Sequence, residues 1–423
     1  MATTAMSVSD VCAAAKLAAR ELAATPREAR DAALRGIADA LDARSSEILE
    51  ANARDVRAGE EAGLGDALID RLTLNEDRLA AIARDVRRIA ELDDPIGEVI
   101  ERRTLDSGLE MTRVRVPLGV VAIVYEARPN VTIDAAALTL KSGNAVVLRG
   151  SSSAAHSNAA LAAVAQEAVA AAGLPREALS ILTSGDRDEL RELATQEGVV
   201  DLIIPRGGEG LKKALKDVAT VPIIYAASGN CHVYVDADAD LEMAREIAVN
   251  AKVNRPGTCN SAEKLLVHAD VAPAFLPDVL GALLDEGVEL RADARTRALA
   301  GPLADRLRDA GEEDWPTEYL AMVMAVKVVD SLDEAIDHVN THGSGHSEAI
   351  VTRSDEAAHA FTARVDSACV YVNASTRFTD GAEFGLGAEM GNSTQKLHAR
   401  GPVALRELTT YKYVLHGSGQ VRS

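Results

Sequence analysis

The chain has 423 residues, of which 47% are hydrophobic and 26% charged, with a formal net charge of −20 at pH 7. This length exceeds one ordinary hydrophobic core, so two or three lobes are expected. The acidic balance argues against a nucleic-acid partner, because an acidic surface repels phosphate. No apolar run reaches the roughly 18–20 residues of a membrane helix, and Met1–Leu22 lacks a signal-peptide pattern. These features predict a cytoplasmic globular enzyme that binds neither nucleic acid nor membrane.

The first hundred residues indicate helices, since Ala, Leu and Ile recur at intervals of three and four. The clearest helical stretches are Val8–Ala24, Arg27–Ala43 and Asp77–Leu92. Met111–Val116 then alternates in polarity, as a half-buried strand would. Leu408–Leu415, near the end of the chain, alternates in the same way. We expect this last strand to pair either with the Met111 segment or with another subunit.

From Gly119 onward, short apolar runs alternate with amphipathic stretches, a rhythm typical of parallel sheets with crossover helices. The first series of predicted strands is Val120–Val124, Ala145–Leu148, Leu202–Ile204 and Val221–Tyr225. The second series is His232–Val235, Glu263–His268, Met322–Val328, Ala349–Thr352 and Val370–Asn373. The sequence therefore predicts two α/β lobes, joined near Ala226–Asn230.

Four widely spaced cysteines show no pattern typical of a metal site, so no metal is predicted. Cys259 lies in a Pro- and Gly-containing loop between a predicted helix and a predicted strand, a poor place for core packing. Arg255 nearby would favour its thiolate, the reactive form of cysteine. The alternative is a buried loop thiol. Cys12, Cys231 and Cys369 are predicted to be structural.

A series of stretches, in order along the chain, resembles the aldehyde dehydrogenase superfamily, and within it the branch that reduces a glutamyl acyl phosphate. They are Tyr125–Thr132, Lys141–Gly150, Ile204–Gly208, Cys231–Asp236, Arg255–Asn260, His342–Ile350, Val372–Gly381, Gly385–Gly391 and Gln395–Pro402. The resemblance implies an α/β, aldehyde dehydrogenase-like fold of two doubly wound lobes plus a small β oligomerisation flap. It places the NADP-binding domain at 1–104 and 117–228, the catalytic domain at 229–385, and the flap at 105–116 and 400–423.

The resemblance also assigns the catalytic groups. It makes Cys259 the nucleophile that becomes acylated, and it makes Asn130, after Pro129, an oxyanion donor together with the backbone N–H of the nucleophile. The alternative for Asn130 is an ordinary residue closing a turn. Aldehyde-oxidising relatives carry a water-activating Glu about thirty residues before the Cys, whereas residues 226–232 contain no carboxylate. This difference favours reduction of an acyl phosphate over oxidation of an aldehyde.

No GxGxxG motif follows a predicted strand, so a conventional Rossmann fingerprint is not supported. By resemblance, Arg149 contacts the adenosine ribose, and its guanidinium suits a 2′-phosphate, which favours NADPH over NADH. Arg206, Gly207 and Gly208 are expected near the pyrophosphate at a helix N-terminus. Glu318 matches the carboxylate that holds the nicotinamide ribose. The alternative for Arg149 is a surface arginine at the end of a strand. The alternative for Arg206, Gly207 and Gly208 is a plain turn, and the alternative for Glu318 is a solvated glutamate.

Charge and proximity suggest the substrate contacts. Arg255 is a candidate for the leaving phosphate, and Ser375 and Arg377 are candidates for the substrate carboxylate. His346 and Glu348 lie in a resembling stretch, but the sequence gives them no role beyond bracing the Cys259 loop.

The resemblance implies NADPH-dependent reduction of L-glutamyl 5-phosphate to L-glutamate 5-semialdehyde with release of phosphate, through a thioester on Cys259, in proline biosynthesis. One alternative is a CoA-acylating or other acyl-phosphate aldehyde dehydrogenase. Another is a non-catalytic scaffold for a kinase partner. The expected partners are a small acyl phosphate, a transiently bound glutamate kinase and further copies of the chain in a homo-oligomer.

Overall fold

A computed structural model describes residues 6–225 and 228–422. The chain forms two compact units. The first runs to Tyr225 and includes Leu386–Gly391 and the residues from Val403 onward. The second runs to Gly385 and includes Asn392–Pro402. Within the predicted junction near Ala226–Asn230, Ala226 and Ala227 lie outside the described residues.

The first unit begins with helices and continues as an α/β layer. Its elements are α1 (Val8–Leu22), α2 (Arg27–Ala43), α3 (Ser45–Glu61), α4 (Asp66–Leu72), α5 (Glu76–Glu91), β1 (Val99–Thr104), β2 (Glu110–Pro117), β3 (Val120–Tyr125), α6 (Asn130–Lys141), β4 (Ala145–Arg149), α7 (Ala155–Ala171), β5 (Leu179–Leu182), α8 (Arg187–Ala194), β6 (Leu202–Arg206) and α9 (Glu209–Lys216). The parallel sheet has the order β5-β4-β3-β6. Every residue of β3 and β4 is buried, which explains their uninterrupted aliphatic sequences.

A buried ionic network fixes the end of α6 against the N-terminal helices. The Lys141 ammonium lies 2.6 Å from the Asp31 carboxylate and also donates to the Ala90 carbonyl at 2.7 Å. Arg30 pairs with Asp94 at 2.6 Å. Because a buried charge needs a partner, these contacts hold α2, α5 and α6 in one arrangement. The start of α6, which carries Asn130, follows five residues after the end of β3.

The second unit is a larger parallel sheet with helices between its strands. Its elements are β7 (Cys231–Val235), α10 (Leu241–Val253), β8 (Ala262–His268), α11 (Ala272–Asp285), β9 (Glu289–Ala292), α12 (Ala294–Leu299), β10 (Arg308–Asp309), β11 (Val323–Val329), α13 (Leu332–His342), β12 (Ser347–Val351), α14 (Asp355–Arg364), β13 (Cys369–Val372), β14 (Asn392–Ser393) and β15 (Gly401–Pro402). The seven-stranded sheet has the order β10-β9-β11-β8-β7-β12-β13. Fully buried aliphatic side chains such as Leu265, Val267 and Leu280 form its core.

Short 3-10 helices of one or two turns occur in the loops of both units. They are Ser152–Ala154, Arg176–Ala178, Gly301–Arg306, Glu312–Asp314 and Thr376–Phe378. No helix in the described part of the chain combines the length and apolar character that crossing a bilayer requires.

The last strand, β16 (Thr409–His416), completes a three-stranded antiparallel sheet of order β1-β2-β16. Thr409 lies opposite Pro117 and His416 opposite Glu110. The predicted pairing with the Met111 segment is therefore confirmed.

The strand predicted at Val221–Tyr225 is wrong. Only Ile223 forms a bridge, to Ile203 of β6. Pro222 has no N–H to donate, so a longer ladder cannot form there.

Candidate active site

The loop between α10 and β8 presents Cys259. Thr258 closes a turn, with its N–H and its hydroxyl both donating to the Arg255 carbonyl, at 3.3 and 2.8 Å. Cys259 is partly exposed, whereas Cys12, Cys231 and Cys369 are buried. All four cysteines lie in the described ranges, so Cys259 is the thiol that a solute can reach most readily.

Arg377 lies across the Cys259 loop. Its Nη1 donates to the Thr258 hydroxyl at 3.0 Å, and its Nε donates to Asn254 Oδ1 at 3.2 Å. Nη1 also contacts Asn260 Oδ1. Burial lowers the pKa of the Arg377 guanidinium, and the charge of Arg255 lowers it further. Two positive charges therefore lie close to the loop, where they favour a thiolate.

The 3-10 turn Thr376–Phe378 holds Arg377 in this position. Ser375 is buried, and its hydroxyl accepts a hydrogen bond from the Arg377 N–H at 3.3 Å. The Thr376 hydroxyl donates to the Asn260 carbonyl at 2.7 Å. The structure thus brings Arg377 and Ser375 to the Cys259 loop, and Ser375 faces the turn that carries Arg377.

Glu318 lies in the segment before β11 and accepts a hydrogen bond from the Gly229 N–H at 2.5 Å. Two residues of β8 hold this segment. Lys264 Nζ donates to the Thr317 carbonyl at 2.7 Å, and Glu263 Oε1 accepts from the Leu320 N–H at 3.2 Å. Burial lowers the pKa of Lys264 to about 7. The expected nicotinamide-ribose residue is thus anchored to the strand that follows the Cys259 loop.

A buried His–Glu pair lies beside Cys231. Glu348 Oε2 accepts from the His232 N–H at 2.6 Å and lies 2.9 Å from His232 Nδ1. Burial raises the pKa of Glu348 and lowers that of His232. His346 is also buried, with Nδ1 2.8 Å from the Ser347 hydroxyl. Glu348 on β12 therefore connects this strand to β7, next to Cys231, which contacts the Cys259 loop.

Asn130 is the first residue of α6, as expected for a side chain after the first strand of the lobe. Its Nδ2 donates to Asp134 Oδ2, one turn further along, at 2.8 Å. Burial is the main cause that raises the pKa of Asp134 to about 6. This hydrogen bond orients the Asn130 amide, and sequence reasoning missed Asp134. The i, i+4 spacing was the available signal.

Arg206, Gly207 and Gly208 join β6 to α9, and Gly208 is the N-cap of that helix. The Gly208 N–H donates to Glu126 Oε2 at 3.1 Å. A Cβ on Gly207 would lie 2.7 Å from the Glu126 carboxyl carbon, so the loop packs too closely for a side chain there. The Gly208 N–H at the start of α9 is thus bound by the Glu126 carboxylate.

Arg149 at the end of β4 is largely buried. Its Nη2 donates to the carbonyls of Gly185 and Asp186, at 2.6 and 2.7 Å. Its Nε lies 3.5 Å from Glu189 Oε1. The guanidinium therefore braces the loop after β5.

A small cavity lies at the ends of β4 and β5, next to the loop that Arg149 contacts. Its lining includes Gly150, Ser151, Ser152, Thr183 and Gly185. A Cβ on Gly150 would lie 2.1 Å from Asn158 Nδ2, and one on Gly185 would lie 3.3 Å from Ser152. The close approach of Asn158 and Ser152 therefore explains why glycine stands at both positions.

A family model described as the aldehyde dehydrogenase family matches residues 1–308 and 311–414. The chain belongs to the aldehyde dehydrogenase family. It is 53% identical over 408 residues to the gamma-glutamyl phosphate reductase of Moorella thermoacetica, covering 96% of this chain and 97% of the relative. It is 52% identical over 415 residues to that of Thermobifida fusca, covering 98% of each.

Solved structures agree with this family membership. The gamma-glutamyl phosphate reductase of Thermotoga maritima is 44% identical, with a TM-score of 0.96, covering 99% of this chain and all of that one. An acetylating aldehyde dehydrogenase of Geobacillus thermoglucosidasius, 20% identical with a TM-score of 0.69 over 98% of this chain and 97% of that chain, shares the fold. The predicted fold class and family are thus confirmed. As an aldehyde dehydrogenase, the chain is an oxidoreductase that uses a nicotinamide cofactor.

Proposed function

We propose that this aldehyde dehydrogenase catalyses NADPH-dependent reduction of L-glutamyl 5-phosphate to L-glutamate 5-semialdehyde, with release of phosphate, in proline biosynthesis. Support comes from 53% identity, over nearly the full length, to an enzyme named gamma-glutamyl phosphate reductase. The structural observation that carries the proposal is a partly exposed Cys259 on a loop spanned by the Arg377 guanidinium.

In the proposed reaction, the Cys259 thiolate forms a bond to the acyl carbon as the carbon–oxygen bond to phosphate breaks. Arg255 neutralises the departing phosphate, and Ser375 with Arg377 binds the substrate carboxylate. Asn130 and the Cys259 N–H stabilise the oxyanion. When bound, the nicotinamide supplies the hydride that reduces the thioester. Release of the aldehyde regenerates the Cys259 thiolate.

We propose that the cofactor is NADP(H). Arg149 supplies positive charge at the end of β4, directly before Gly150 of the small cavity, and this charge suits a 2′-phosphate. Arg206, Gly207 and Gly208 bind the pyrophosphate, and Glu318 binds the nicotinamide ribose. Because Glu126 accepts from the Gly208 N–H in the structure, pyrophosphate binding would have to replace that acceptor.

The proposed partners follow from the same function. The sheet formed by residues 105–116 and 400–423 with β1 is proposed to join subunits, and it leaves Tyr411, Tyr413 and Leu415 about half exposed. A glutamate kinase is proposed as a transient partner, because acyl phosphates are labile. We propose a cytoplasmic location.

The test is phosphate-dependent NADP reduction with the semialdehyde, comparing Cys259→Ser with Cys12→Ala, a buried cysteine of the other unit. We expect Cys259→Ser to lose at least about 1,000-fold in rate, since the covalent route is removed, and Cys12→Ala to keep its activity. Near-normal activity of Cys259→Ser would refute the mechanism. Supplying CoA in place of phosphate tests the CoA-acylating alternative, and NAD in place of NADP tests the cofactor.

A further inference from the structure

Gly229 lies directly against the backbone of Cys259. A Cβ built on Gly229 would lie 1.8 Å from the Cys259 carbonyl oxygen and 2.4 Å from its Cα. No side chain fits at such distances, so any residue other than glycine would move the Cys259 backbone. The position of Gly229 thus determines where the Cys259 peptide can lie.

Cys231 adds a second contact to the same carbonyl. Its Sγ donates to the Cys259 oxygen at 3.1 Å. Burial raises the pKa of the Cys231 thiol, so it stays protonated and keeps the hydrogen that it donates. The Cys259 carbonyl therefore lies against Gly229, two residues before β7, and accepts from Cys231, the first residue of β7.

Glu318, far along the chain from Gly229, holds the Gly229 N–H. Its Oε1 accepts from the Gly229 N–H at 2.5 Å. The segment that carries Glu318 is itself anchored on β8 by Lys264, through the Thr317 carbonyl, and by Glu263, through the Leu320 N–H. Leu320 has a φ of 52°, a conformation that a leucine adopts only where its surroundings hold it. The carboxylate is thus on a rigid support.

We propose that Glu318 is a positioning residue for Cys259, acting through the Gly229 N–H, in addition to its expected contact with the cofactor. The carboxylate holds Gly229 against the Cys259 carbonyl, and this contact sets the direction of the Cys259 Cα–Cβ bond and hence of the sulfur. Without it, the sulfur moves away from the positive charges of Arg255 and Arg377. The inference rests on the proposed role of Cys259 as nucleophile.

The test measures alkylation of Cys259 by iodoacetamide with neither substrate nor nucleotide present. Intact mass counts the labels, and peptide mapping assigns them. We expect Glu318→Ala to slow alkylation about tenfold at pH 7 and to raise the apparent thiol pKa by about one unit. Glu318→Gln should react close to the wild-type rate, because its amide oxygen still accepts from Gly229. Exposed Glu286→Gln in the same unit is the matched control and should react as the wild type does.

Gly229→Ala should slow alkylation at least as much as Glu318→Ala. Thermal melting and circular dichroism check that each variant is folded, and if Gly229→Ala does not fold, the comparison of Glu318→Ala with Glu318→Gln decides. Wild-type alkylation in Glu318→Ala would overturn the inference and leave a cofactor role alone. Equal loss in the Ala and Gln variants would also overturn it, since the loss would then not depend on an acceptor for the Gly229 N–H. Because no substrate is used, the result is independent of which acyl group the enzyme reduces.

Discussion

Replacing Lys252 with Met should destabilise the second unit strongly. Lys252 Nζ of α10 lies 2.9 Å from Glu263 Oε2 of β8, and both side chains are fully buried. Lys252→Met keeps an unbranched side chain, one atom shorter, but leaves the Glu263 carboxylate buried with the Leu320 N–H and the neighbouring Lys264. Removing one partner of a buried ion pair costs about 3–5 kcal/mol. We expect the lower end of this range, because Lys264 still offsets part of the charge.

Thermal unfolding followed by circular dichroism measures the effect. At about 2–4 °C per kcal/mol for a unit of this size, the melting temperature should fall by roughly 6–12 °C. The matched control is Lys213→Met, which removes the exposed i, i+4 pair of Lys213 with Asp217. It should cost less than about 1 kcal/mol. If Lys252→Met were no more destabilising than Lys213→Met, the pair could not be buried as described.

The remaining predictions concern the first unit. The pKa of Asp134 is raised to about 6, so activity should fall as the pH drops through 6 and the carboxylate that orients Asn130 is protonated. In Asp134→Asn, the pH–rate profile should lose this acid-side decrease. An unchanged decrease would contradict the assignment. Arg149→Lys should lower the ratio of NADPH to NADH affinity about tenfold in binding titrations. If the affinities for both nucleotides fell equally, Arg149 would act only by holding the loop after β5. Gly391→Ala should weaken nucleotide binding measured by fluorescence, because its Cβ would lie 2.2 Å from Arg206 Nη1, and wild-type affinity would show that Arg206 is not needed.

The sheets could be predicted where strands are buried on both faces. Uninterrupted aliphatic runs identify β3 and β4, because strands covered on both sides need apolar residues at every position. β5 and β9 were missed, since Ser180 interrupts the apolar residues of β5 and Glu289 and Arg291 occupy two of the four positions of β9. The false strand at Val221–Tyr225 shows the opposite error, an apolar run whose proline prevents a ladder.

The site was predictable only in part. The composition of the Cys259 loop and the family resemblance identify the thiol. The contact between Gly229 and Cys259 depends on how closely two backbones approach in space, and one glycine in the sequence does not show this. The hydrogen bond from Gly229 to Glu318 joins residues 89 positions apart, so no local pattern encodes it. Contacts of this kind follow from the tertiary arrangement of β7, β8 and the segment before β11.

The contacts of Glu263, Glu318 and Glu348 in the second unit bear on whether water could hydrolyse the proposed acyl-enzyme. A hydrolytic base needs a carboxylate that water can reach and whose lone pairs are available to it. Glu263 and Glu348 are fully buried, each against a basic side chain. Glu318 accepts the Gly229 N–H, and a carboxylate already engaged in a hydrogen bond is a weaker base. The described residues Ser228–His232 carry no carboxylate at all. Each of these glutamates therefore stabilises the fold or positions the thiol, and water attack on the proposed thioester gains no general base from them.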